Sequence, residues 1–356
     1  MPSHASKNIL EELILTVTKE GASDLHITAG SHPSIRVAGD LIPLVNYDIL
    51  SADDTMGIAS EMLNEDNKRI FFEEKEIDFS YSPDGLVRFR GNAFFQRGLV
   101  GIALRLISTE VKEFKDLNLP EALKDFAGRK QGFFLVVGPV GHGKSTTLAA
   151  MIEHINHTRT EHIITIEDPI EYLFTNDRSI IDQREVRFDT KSFPAALKAM
   201  FREDVNVGMI GEMRGLDTIS TAVTAAETGH LILSTLHTNS AAQTVDRIID
   251  SFPANQQRQI RVQLAGSLLG IFAQRLVPRS SGGLVPAYEL MINNNAVANL
   301  IREGRTPELD VVIETNSDEG MVDLNHSLAE LVRAGEITSE NAYRYSYNPR
   351  GLDKLL

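Results

Sequence analysis

Residues 136–150 read "VVGPVGHGKSTTLAA". Gly138, Gly143, Lys144 and Ser145 stand in the defining places of GxxxxGK(S/T). The stretch follows the apolar "FFLVV" and precedes the helix-forming "TTLAAMIEHI", so the motif lies between a strand and a helix, as its chemistry requires. Glycines let the backbone curl until its N–H groups face phosphate oxygens, and the helix N-terminus adds a favourable field for the anion. Lys144 is expected to reach the terminal phosphates and the Ser145 hydroxyl to ligate Mg²⁺. Pro139, Val140, Gly141, His142 and Thr146 complete the expected nucleotide contacts. His142 stands where a small residue is expected. A backbone cradle works whatever that side chain does, so we expect the imidazole to point away from the nucleotide.

A phosphate loop needs carboxylates nearby for the cation and the attacking water. "HIITIEDPIEYL" ends an apolar strand with Glu167, Asp168 and Glu171, and "VGMIGEMRG" ends another with Glu212. Acidic groups at the ends of neighbouring strands converge on a nucleotide in an open α/β sheet. Glu167, Glu171 and Glu212 are therefore candidate catalytic residues, and Asp168 and Glu212 join Ser145 as candidate metal ligands. In "ETGHLILSTLHTNSA", His230 precedes a third apolar run and His237 follows it. Both are candidates for sensing phosphate, relaying a proton or bridging a subunit interface. Core histidines bonded to nearby carbonyls are the plain alternative. Thr235 and Thr238 are weaker candidates.

Outward from the motif, residues 121–290 alternate short apolar strands with helices, a three-layer α/β pattern. Residues 291–356 turn mainly helical and polar. Residues 1–105 have α+β character: an amphipathic helix, strand-like pieces around Gly39-Asp40, a helical stretch near 53–72, and further strands around a turn at Pro83-Asp84-Gly85. Residues 106–120, charged and ending in proline, read as a linker. The chain has 356 residues, 42% of them hydrophobic, enough for two domains. It has no cysteine, which excludes disulfides and thiolate zinc sites. No apolar run reaches about 18 residues, so a cytoplasmic location is expected. The net charge of -14 argues against nucleic acid as a partner.

Five stretches in one order carry a family resemblance: "GASDLHITAGSHPSIRVAGD", "GPVGHGKSTTLAAMIEHIN", "HIITIEDPIEYL", "ETGHLILSTLHTNSAAQTVDRIIDSFP" and "LVPAYELMINNNAVANLIREG". The chain resembles the twitching-motility retraction ATPases of type IV pili, within the superfamily that also holds type II and type IV secretion motors. The resemblance implies a homo-hexameric ATPase using ATP and Mg²⁺. Each subunit would have a PAS-like N-terminal domain, a RecA-like P-loop domain and a helical C-terminal tail. It places "GPVGHGKST" in the Walker A motif, "EDPIE" in the Asp box, "GE" at the end of an atypical Walker B, and His230 and His237 in the His box. Glu212 would support Mg²⁺ and Glu171 would polarise water. Arg88, Arg90 and Arg105 match arginines of the N-terminal domain that approach the nucleotide, and Arg202 is a further candidate.

The partners implied are an inner-membrane pilus platform protein and a paralogous retraction ATPase, with the ring peripheral at the inner membrane. Extension motors of the superfamily typically carry a further N-terminal domain and a four-cysteine zinc motif. This chain starts with the PAS-like region and has no cysteine, so by this resemblance it is expected to fall with the retraction branch, with a secretion or extension motor and an accessory ring subunit as alternatives. "REDVNVGMIGEMRG" departs from the family pattern at Val205, Asn206, Gly208 and Gly215. The lost carboxylates at 206 and 215 are expected to bear on magnesium coordination or subunit coupling.

Overall fold

Period-two alternation shapes the first of two compact units, residues 1–109. Strands β1 (Asp24–Thr28), β2 (Ser34–Val37), β3 (Asp40–Pro43), β4 (Glu76–Tyr81), β5 (Arg88–Gln96) and β6 (Leu99–Ile107) form one antiparallel sheet in the order β3-β2-β1-β6-β5-β4. Leu25, Ile27, Phe89, Ala93, Ile102 and Leu104 give it an apolar core. Helices His4–Lys19, Ala52–Met62 and Glu65–Glu74 contribute Leu10, Leu13, Ile58 and Phe71 to that core.

The computed structural model describes residues 4–37, 39–83, 87–108 and 110–356. The expected hairpin at Gly39-Asp40 joins β2 to β3, with Val37 opposite Asp40. The turn expected at Pro83-Asp84-Gly85 runs into residues 84–86, outside the described residues. The helical stretch near 53–72 is two helices, because Leu63 is extended and the Asn64 side chain caps the second by accepting from the Asn67 N–H.

The second unit, residues 110–356, is built on a seven-stranded sheet. Its strands are β7 (Gly132–Val137), β8 (His162–Glu167), β9 (Ile180–Glu185), β10 (Val207–Ile210), β11 (Leu231–Leu236), β12 (Leu268–Pro278) and β13 (Leu284–Ile292), in the order β13-β12-β7-β11-β10-β8-β9. Only the β12–β13 pairing is antiparallel. β7 is buried along its whole length, between β12 and β11. Its side chains alternate between two cores. Phe133, Leu135 and Val137 join a cluster with helices Phe193–Met200, Leu216–Glu227, Ala241–Asp250 and Ala254–Ser267. Phe134 and Val136 join another, with Ala122–Ala127 and Lys144–Thr158. Helices on both faces of a mainly parallel sheet give the three-layer α/β fold expected from the sequence.

The sequence pattern does not announce three of the strands, β9, β12 and β13. β12 follows helix Ala254–Ser267 without a turn and carries Gln274 and Arg275 mid-strand, so neither punctuation nor periodicity marks it. The expected linker also differs. Leu106 and Ile107 end β6, while Phe114 and Leu119 are buried in the second unit's core. The C-terminal helices, among them Leu324–Arg333 and Ser339–Tyr345, pack Leu328, Ala329 and Ala342 on Val277, Val285 and Ala287 of the β12–β13 hairpin. Among the described residues, no helix is long and apolar enough to cross a membrane.

Candidate active site

β7, β11, β10 and β8 are neighbours and parallel, so the segments leaving their carboxyl ends meet. They line a cleft of about 460 Å³. From the loop after β7 come Val140, Gly141 and Gly143, followed by Lys144, Ser145 and Thr146 at the start of helix Lys144–Thr158. From the end of β8 comes Glu167 and from beyond it Asp168, Glu171 and Tyr172, from beyond β10 Gly211 and Glu212, and from the end of β11 Thr235 and His237. The spacing motif, the acidic strand ends and one histidine therefore share one cavity.

Lys144 is 7% exposed. Its ammonium donates to the Pro139 carbonyl at 2.9 Å and to His237 Nδ1 at 3.2 Å. His237 Nε2 in turn lies 3.4 Å from Glu212 Oε2, and Arg214 pairs with the other Glu212 oxygen at 2.5 Å. An imidazole that accepts at Nδ1 carries its proton at Nε2, the form that donates to Glu212. Burial lowers the Lys144 pKa, and the nearby Glu171 and Glu212 carboxylates oppose that shift. The result is a relay of polar contacts, Lys144–His237–Glu212–Arg214, at the end of the sheet.

Gly143 caps the helix at φ 78°, a left-handed conformation that glycine adopts without strain. The His142 side chain is not part of the cleft lining, and its Nδ1 accepts the Leu276 N–H of β12 at 2.9 Å. Burial, reinforced by Arg275 and Lys144, lowers its pKa and favours the neutral ring that this bond needs. On the same strand, Arg275 donates to the Asn239 side chain at 3.0 Å and lies 4.4 Å from the ring centre of Tyr347.

Asp168 is turned towards Arg187, at 3.8 Å, and the Tyr172 and Thr146 hydroxyls are 2.8 Å apart. Glu167 is buried and accepts from the Thr165 hydroxyl at 2.7 Å and the Glu171 N–H at 3.3 Å.

Other expected residues lie elsewhere. His230 precedes β11, at the amino end of the sheet and opposite the cleft. Its Nδ1 faces the Ala225 carbonyl at 3.0 Å and its ring meets Phe201 edge-on. It does not line this cleft. Arg202 is exposed at that same end, ahead of β10, and does not line this cleft. Asn206 is there too, its side chain accepting the His162 N–H at 2.9 Å, so the missing carboxylate at 206 does not bear on metal binding in this cleft. Gly215 opens helix Leu216–Glu227 at φ 81°. Thr238 bonds Thr244 and is not in the cleft wall.

Arg88, Arg90 and Arg105 belong to the first unit. Arg90 is exposed and pairs in register with Arg105, which is bound to Asp24 at 2.8 Å. Tyr172 and Leu276 are cleft residues that the sequence reading missed. Tyr172 adjoins the acidic motif, whereas Leu276 carries no local signal.

The family pattern described as "Type II/IV secretion system protein" matches residues 3–344. The chain is 42% identical over 333 residues to the type IV pilus retraction ATPase PilT of Pseudomonas aeruginosa, covering 94% of this chain and 96% of that one. It is 43% identical over 347 residues to the type IV pilus ATPase PilU of the same organism, covering 97% and 91%. A crystal structure of the pilus retraction motor PilT with bound ADP superimposes with a TM-score of 0.90 at 46% identity, covering 97% of this chain and 99% of that one.

Burial pushes the Glu167 carboxyl up to about 7, against the hydrogen bonds from Thr165, Glu171 and Gln183. The folded chain therefore holds this proton more tightly than the unfolded chain. The associated stability is present below the ordinary carboxylate pKa and is lost as pH rises through about 7. Glu167→Gln, neutral at every pH, should gain thermal stability over the parent when pH is raised from 5 to 8. Parallel melting curves at the two pH values check this; a difference in Tm that does not change with pH would contradict it.

Proposed function

The chain belongs to the type II/IV secretion system protein family, and from that premise we propose that it is an ATP-hydrolysing motor that retracts a type IV pilus by disassembling it. The observation that carries this reading is the meeting of Lys144, Ser145, Glu171, Glu212 and His237 in one cleft. Similarity over nearly the whole length to a retraction motor that binds ADP supports it. Lys144 offers charge to the phosphates, and loop N–H groups supply donors that need no reorganisation as charge develops. Glu171 orients and polarises the attacking water.

Mg²⁺ fits as a companion of the nucleotide. Among the described residues, no group of three or more His, Asp or Glu side chains is placed to hold a metal ion. Mg²⁺ at phosphates commonly takes only one or two carboxylates, with the phosphates as further ligands. Ser145 and Glu212 would hold it, and it would neutralise phosphate charge. Asp168, drawn towards Arg187, is the weaker ligand.

In this reading the chain works as a homo-hexamer on the cytoplasmic side of the inner membrane, acting on a pilus platform protein. Arg88, Arg90 and Arg105 complete a neighbouring subunit's site, as an arginine supplied in trans stabilises phosphoryl transfer. An accessory ring subunit is the second reading. Negligible turnover with normal ATP affinity in the purified chain would select it.

Lys144→Ala should weaken ATP binding and turnover together. Glu212→Ala should spare affinity more than hydrolysis, because its role strengthens in the transition state. Near-native kcat in both variants would overturn the site. For the ring, Arg90→Ala should lower turnover with the fold intact, and mixing it with Glu212→Ala should recover activity at sites that combine the two intact residues. ATPase rate against mixing ratio, after verified subunit exchange, reads this out; no recovery at any ratio counts against a shared site. Deleting the gene and imaging the cells tests the direction of the motor. Extra surface pili are expected, and bald cells would turn the reading to extension.

A further inference from the structure

We propose that Gln274, in the middle of β12, is a positioning residue of the nucleotide site: its amide braces the phosphate loop against the helix that follows it. The inference rests on reading the cleft as a nucleotide site. Gln274 is 3% exposed, and both ends of its amide are used. Nε2 donates to the His142 carbonyl, within the loop, at 2.9 Å. Oε1 accepts from the Thr147 hydroxyl at 2.6 Å, and Thr147, 1% exposed, lies in the first turn of helix Lys144–Thr158. A carbonyl only accepts, so the amide nitrogen must face His142; that leaves the amide oxygen for Thr147, whose hydroxyl must donate.

The brace acts on the part of the loop that meets phosphate. A trans peptide sets C=O and the following N–H on opposite sides. Drawing the His142 carbonyl to Gln274 turns the Gly143 N–H the other way, and Gly143 lines the cleft. The motif's glycines record how closely loop and strand approach. A Cβ on Gly143 would lie 2.9 Å from Gln274 Nε2, and one on Gly138 would lie 2.3 Å from the Gln274 carbonyl oxygen. The His142 imidazole, accepting the Leu276 N–H, ties the same residue to β12 a second time, two residues along.

The test uses the full chain, with ATP kinetics, ADP titration, and melting without nucleotide. Gln274→Met keeps length and loses both bonds. Gln274→Glu keeps the acceptor for Thr147 and sets a carboxylate against the His142 carbonyl. Leaving a buried polar group unpaired corresponds to roughly tenfold or more in affinity. Both variants should therefore raise the ATP KM and the ADP Kd about tenfold, with kcat falling less than KM rises. Thr147→Val should weaken binding, and Thr147→Ser, which restores the hydroxyl, should recover it; this pair decides if a Gln274 variant fails to fold. KM and Kd within about twofold of the parent would overturn the proposal. So would lowered Tm with unchanged affinity, or equal losses in the two Thr147 variants. A parent chain that binds no ADP overturns the site reading and this inference with it; a binding parent with indifferent variants overturns the inference alone.

Discussion

A strand with partners on both edges and helices on both faces has little freedom at its end, and β7 is such a strand. Its six residues are buried, paired to β12 on one side and β11 on the other. The loop that follows inherits a fixed starting point, and the helix beyond it inherits a fixed direction from its packing on Phe134 and Val136. β11, β10 and β8 carry the histidine and carboxylates to the same edge because they run parallel to β7. Apolar burial in the sheet thus sets the positions of polar groups that have no packing of their own.

Hydroxyls refine those positions. Thr165 donates to Glu167, Thr235 to the Gly211 carbonyl beside Glu212, and Thr147 to Gln274. Each is a short side chain on a strand or helix bound to a residue at or next to the cleft. A β-branched hydroxyl has few rotamers and a donor whose direction adapts, which suits it to fix a neighbour at little entropic cost.

Legibility in the sequence followed the range of each interaction. The phosphate loop was readable because its conformation is local: glycines at set intervals, a strand before and a helix after. Glu167, Glu171, Glu212 and His237 were readable because each closes or follows an apolar run. His230 and His237 bracket β11 as their spacing suggests, and only the carboxyl end, with His237, faces the cleft. Arg202 and Asn206 lie ahead of β10, at the amino end of the sheet, and spacing alone does not say which end faces the cleft. Gln274 and Leu276 were invisible for a different reason. They reach the loop from more than a hundred residues away, through a strand that no turn residue announces.

The contacts of Lys144 have a consequence for a cyclic machine. Any nucleotide motor passes through an empty state between losing one product and taking the next substrate. A bare ammonium in a buried cleft would make that state costly and would cling to departing phosphate. Here the Lys144 ammonium already donates to the Pro139 carbonyl and to His237. A phosphate that enters or leaves must therefore compete with these two partners for the protons of one ammonium group.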